Sequence, residues 1–167
     1  YYAFGREIAS DRGYIWDDPR NAWTKGTQSH NIVTVDRRNQ ARKGRSSVLE
    51  LFGVGPGVEM VQARAVNAYK QCSLYERTCA LVRVNEQQTY AVDIFRVRGG
   101  KLHQYGFQCN GTLAKFAGGE LVPADDTHKW LSNFRACKPS GPLTVTWQDE
   151  DVLMDLTVLN PLDRAVI

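Results

Sequence analysis

Residues able to do chemistry gather near the start of the chain. A lone histidine, His30, stands at the mouth of the β-branched, alternating run Ile32-Val33-Thr34-Val35-Asp36. Upstream, the stretch Gly5-Arg6-Glu7-Ile8-Ala9-Ser10-Asp11-Arg12-Gly13-Tyr14 delivers Asp11 at the end of a short apolar strand. An aspartate and a histidine at strand ends are the donor set of a hard-to-intermediate metal site. Each also has an ordinary structural use. Asp-Arg-Gly is common turn chemistry, and a histidine at a strand end is often satisfied by backbone. His103, before Gln104-Tyr105, is a weaker site candidate, and His128 reads as a surface residue.

A second chemical feature follows the histidine run. Arg37, Arg38, Arg42, Lys43 and Arg45 crowd into one short stretch that also holds Asn39 and Gln40. Such a cluster suits phosphate, sulfate or carboxylate. It equally suits a solvated loop that keeps a sheet edge soluble. The chain as a whole carries a net charge of only +3. With no basic helix, aromatic stacking motif or zinc-finger spacing, nucleic acid is not the expected partner.

The elements that must position these residues are strands. Leu143, Val145 and Trp147 alternate with polar residues, and Val152, Met154, Leu156 and Val158 resume after the acidic turn 148–151. That pattern predicts a hairpin. Strands are also predicted over 47–52 and 58–66 around Gly53-Val54-Gly55-Pro56-Gly57, over 78–84 and 89–97 around Asn85-Glu86-Gln87, and over 101–108. Residues 125–134 could form two or three helical turns capped by Asp125 or Asp126. Many short strands with almost no helix predict an all-β, antiparallel β-sandwich.

At 167 residues the chain is expected to form one domain. No apolar run is long enough to span a membrane. The chain opens on Tyr1-Tyr2-Ala3-Phe4-Gly5 with a strand already under way and closes on Arg164-Ala165-Val166-Ile167, so a piece of a longer protein is expected. Cys72, Cys79, Cys109 and Cys137 fit no metal-ligand spacing, and most are expected to be free thiols. Asn110-Gly111-Thr112 fits a glycosylation sequon, a pattern of low specificity.

Several of these segments together resemble a known family. They are the Gly5–Tyr14 stretch, Asn21-Ala22-Trp23-Thr24-Lys25, and above all Ser29-His30-Asn31-Ile32-Val33-Thr34-Val35-Asp36-Arg37-Arg38-Asn39-Gln40. Weaker matches follow in Tyr75-Glu76-Arg77-Thr78, Tyr90-Ala91-Val92-Asp93-Ile94-Phe95 and Leu102-His103-Gln104-Tyr105. Over roughly residues 4 to 113 the chain resembles the heparinase II/III-like polysaccharide lyases, a group that includes related alginate lyases.

The resemblance implies a helical toroid domain followed by a large antiparallel, supersandwich-like sheet domain, of which this chain is the second part. It implies a zinc ion near the junction, with Asp11 and His30 matching two ligands and a third lying before Tyr1. The family's catalytic tyrosine, and the asparagine or histidine that neutralises the substrate carboxylate, belong to the toroid. The chain alone is therefore expected to be inactive. The implied reaction is β-elimination, in which a base removes the C5 proton of a uronic acid and the O4 leaving group is protonated. Neutralising the neighbouring carboxylate is the larger electrostatic task.

On this basis Trp23, Lys25, His30 and Arg12 are expected to line one wall of the cleft. Trp23 would stack on a sugar face, or simply pack its loop, and Lys25 would meet a carboxylate. The implied partners are an acidic polysaccharide of heparan or alginate type and the toroid domain, in a periplasmic or secreted setting. One departure is the lack of a histidine near Cys109, where relatives often have one. The alternative is a non-catalytic carbohydrate-binding or structural β-sandwich.

Overall fold

The computed structural model describes every residue of the chain except Arg12. The protein is 48% strand and 4% helix, and every strand pairing is antiparallel. It is an all-β, sandwich-like fold, as the period-two patterning predicts. In chain order the elements are β1 (Tyr2–Ala3), β2 (Arg6–Glu7), α1 (Asn21–Thr24), a 3-10 turn (Thr27–Ser29), β3 (Val33–Val35), β4 (Ser46–Gly55), β5 (Val58–Val66), β6 (Cys72–Arg83) and β7 (Thr89–Gly99). They continue with β8 (His103–Tyr105), β9 (Thr112–Ala117), β10 (Val122–Pro123), β11 (Arg135–Cys137), β12 (Leu143–Asp149), β13 (Val152–Val158) and β14 (Ala165–Val166).

The chain divides into two compact units. One comprises Ala22–Gly106; the other combines Tyr1–Asn21 with Phe107–Ile167. In the 22–106 unit, β4-β5-β6-β7 form a meander and β3 pairs with β8. The hairpin turns follow their punctuation. Gly57, at φ +79, lets β4 turn into β5, and the Asn85 side chain accepts the Gln87 amide proton at 2.9 Å where β6 turns into β7. At the far end of β7 two glycines are obligatory. A Cβ at Gly99 would lie 2.1 Å from the Gln71 carbonyl oxygen, and one at Gly100 would lie 2.3 Å from Val35 Cγ1.

Those close approaches seat β3 on the meander. Val33, Val35, Ala68, Tyr69 and Tyr75 form the buried cluster, with Ile32, Ala65, Cys72, Phe95 and Val97 packed against it. Tyr75 stacks edge-on against Phe95 at 5.2 Å. Its hydroxyl donates to the Val33 carbonyl and accepts from Gln40 Nε2 at 3.3 Å. Each buried valine contributes about 1.5–3 kcal/mol through lost apolar hydration. Away from this cluster the meander remains apolar yet exposed: by register Leu49, Phe52, Val54, Val61 and Leu81 share the face of Tyr75.

In the other unit β13-β12-β9 and β10-β11-β14 form three-stranded sheets, and β1 pairs with β2. The acidic turn between β12 and β13 is held by Arg6, which reaches Glu150 at 3.0 Å and Asp151 at 3.2 Å. Phe107 stacks on Trp147 at 5.8 Å. The helix expected over 125–134 does not form. That segment is an irregular loop closed by the Ala124 amide on the Phe134 carbonyl at 3.0 Å, with His128 Nδ1 accepting the Trp130 amide at 3.1 Å. Two or three turns are too few to recover the cost of helix nucleation once a side chain takes a backbone donor. The strand expected over 101–108 shrinks to β8. Among the described residues no helix is long and apolar enough to cross a membrane, and the four cysteines are free thiols.

Candidate functional site

The stretch 22–31 is a succession of tight turns. Gly26 donates its amide to the Trp23 carbonyl at 2.8 Å, and a Cβ there would stand only 3.0 Å from that oxygen. Ser29 is fully buried, its hydroxyl donating to the carbonyls of Gly26 at 2.8 Å and Thr24 at 3.0 Å. The Asn39 side chain accepts the Thr27 amide at 2.8 Å, and Thr27 Oγ1 accepts the Gln40 amide at 2.9 Å. Ser29, Thr27, Asn39 and Gly26 thus pin the segment around the short α1 and the 3-10 turn. Along it Trp23 is half-buried, Lys25 exposed and His30 half-buried.

His30 leads directly into a polar cluster on the Tyr75 face of the meander. Arg77 Nη1 donates to the Asn31 carbonyl at 3.0 Å. Its Nε and Nη2 grip the two oxygens of Asp93 at 2.9 and 2.8 Å. Tyr105 on β8 donates its hydroxyl to the same carboxylate at 2.9 Å, and the Cys79 thiol lies 3.7 Å away. Burial alone would lower the proton affinity of Arg77, but the two hydrogen bonds and the charge of Asp93 outweigh it and raise the pKa. Burial pushes the Cys79 thiol up, so it is not a poised nucleophile. Gly106 completes the seat, because a Cβ there would meet the His30 carbonyl at 3.0 Å.

Trp23, Lys25 and His30 therefore share one pinned segment of the 22–106 unit. Asp11 belongs to the other unit, where its Oδ1 accepts the Gly13 amide at 3.1 Å, the turn role that Asp-Arg-Gly suggests. Arg12 lies outside the described residues. Among the described residues no three of His, Cys, Asp and Glu come together to hold a metal. Two donors leave half a tetrahedral zinc shell to water. The described residues do not fit a closed zinc site.

The remaining histidines hold backbone. His103 Nε2 lies 2.8 Å from the Gly99 carbonyl, and His128 serves the Trp130 amide. In the sequon both amide atoms of Asn110 are engaged, with the Glu7 carbonyl at 2.9 Å and Ser10 Oγ at 3.0 Å. The Arg77–Asp93–Tyr105 cluster is the feature that residue-by-residue inspection misses. Its signal is charge at alternate positions that otherwise face apolar neighbours, since Asp93 stands in register with Cys79 and Arg77 with Phe95. No family model, curated protein or solved structure matches the chain.

Proposed function

We propose that this chain is the sheet part of a polysaccharide lyase acting on uronic-acid polymers by β-elimination, and that it supplies one wall of the substrate cleft. The observation that supports the reading is the pinned stretch from Trp23 to Asn31, tied through Arg77 to Asp93 and the partly exposed Tyr105. Trp23 stacks on a pyranose face. Lys25 meets a uronate carboxylate. His30 donates a hydrogen bond to a sugar hydroxyl, Tyr105, whose own proton goes to Asp93, accepts one, and the Arg77–Asp93 pair fixes both of them in place. The base and acid of the elimination come from another domain, so this wall orients the polymer and weakens the charge of the bound carboxylate.

The protein extended upstream to include a helical domain should release unsaturated uronate, read by ultraviolet absorbance, from heparan-type or alginate-type polymers. The 167-residue chain should not. Activity of the short chain by itself would contradict this division of labour. Trp23→Ala in the longer protein should raise KM far more than it lowers kcat, since stacking acts on bound and reacting sugar alike.

A further inference from the structure

The basic residues after β3 do not form a loose loop. Val35, Asp36, Arg37 and Arg38 make a tight reverse turn closed by the Arg38 amide on the Val35 carbonyl at 3.0 Å. Both central residues lie in the left-handed region, Asp36 at φ 53 and Arg37 at φ 57. Aspartate tolerates that conformation; for arginine it is strained. Strain of this kind persists only where the surroundings over-determine it, and here they do. The Asp36 carboxylate accepts the amides of Lys101 at 2.7 Å and Leu102 at 3.0 Å on one oxygen, and Gln71 Nε2 at 3.0 Å on the other.

One side chain thus ties together three turns distant in sequence, around residues 36–38, 70–71 and 100–102. Each of them carries exposed cations: Arg37 and Arg38, Lys70, and Lys101. The rest of the basic stretch is fastened alongside. The Tyr69 hydroxyl donates to the Arg38 carbonyl at 3.1 Å, the Ala41 amide to the Ala68 carbonyl at 2.8 Å, and Asn67 Nδ2 to the Gly44 carbonyl at 3.3 Å. Arg42, Lys43 and Arg45 are exposed on that fastened backbone. Among the described residues none of these seven cations enters an ion pair.

We infer that this rim is a docking surface for a polyanionic polysaccharide, reading sulfate or carboxylate along the polymer and separate from the Trp23–His30 wall. Cations outside any ion pair, carried on a fastened backbone, attract a line of anions without ordering a loop, and they release its counterions. The rim's aromatic residue, Tyr69, is buried in the core, so no exposed ring is offered for stacking bases, and single-stranded nucleic acid is disfavoured. The inference rests on the proposed function for its choice of acidic polymer, but not on any catalysis.

The test is binding of the 167-residue chain, at low and physiological salt, to a heparin fragment, a polygalacturonate fragment, neutral dextran and a DNA duplex of matched charge. Binding to the two acidic glycans, weakened by salt and absent for dextran, is expected. The double variant Lys70→Gln/Lys101→Gln, on exposed positions outside the basic stretch, should weaken it by about fivefold. Arg37→Gly removes the strain and should raise Tm while lowering affinity, a pairing that a purely structural turn would not give. No glycan binding at low salt, an unchanged affinity of the double variant, or tighter binding to the duplex than to heparin would each overturn the inference. Loss of lyase activity in the longer protein with glycan binding intact would instead count against the proposed function alone.

Discussion

Asp36 illustrates how a single side chain can organise a region. Three donated hydrogen bonds, led by the amides of Lys101 and Leu102, favour its charged form and hold its pKa below the ordinary aspartate value of 3.8. A carboxyl whose pKa is lower in the folded protein adds stability that is present above the ordinary value and lost as pH falls through the folded one. Urea midpoints of the native protein and Asp36→Asn should therefore differ by a constant amount above pH ~5 and converge in more acidic solution. Tyr75 tests burial in the same way. Its phenol is pushed above the ordinary tyrosine range by burial, so the hydroxyl stays protonated and keeps donating to Val33. Tyr75→Phe should cost about 1–2 kcal/mol in chemical denaturation, the price of one buried acceptor left short.

At the scale of elements the informative unit is the meander with β3 and β8 laid over it. The Arg77–Asp93 pair joins β6 to β7, and Arg77 and Tyr105 tie that pair to the His30 segment and to β8. Asp93→Asn leaves the guanidinium short of its counter-charge in a partly buried setting. It should lower stability by about 1–3 kcal/mol, whereas Tyr105→Phe should cost less than about 1 kcal/mol. The same comparison carries a functional readout. Amide exchange at Asn31 and Ile32 should quicken in Asp93→Asn, because Arg77 then lacks the partner that aims it at the Asn31 carbonyl. Unchanged exchange would mean that the His30 segment is held by Ser29 and Asn39 alone.

At the scale of the molecule, two compact units divide the metal donors between them, with Asp11 in one and His30 in the other. Zinc at about 0.1 mM should shift the Tm of the isolated chain by less than about 1 °C, because two donors hold the ion only weakly. A larger rise in Tm with zinc, absent in His30→Ala, would show that His30 belongs to a zinc site.

The strands and hairpins were legible in the sequence because alternation and turn residues are local signals. β5, β7 and the β12–β13 hairpin follow their apolar periods and their Gly, Pro, Asn and acidic punctuation. The short β10, β11 and β14 carry too few residues for a period, and the 125–134 segment loses its helical pattern to local side-chain bonds. Residue types nominated His30 and the basic run from Arg37 to Arg45, and the family resemblance added Trp23 and Lys25. Only the tertiary structure joined Asp93 to Arg77 and Tyr105, and brought Gln71 and Lys101 to Asp36. The physical reason is that period and turn chemistry act between chain neighbours, whereas ion pairs and carboxylate clamps form between residues that only the folded chain makes adjacent.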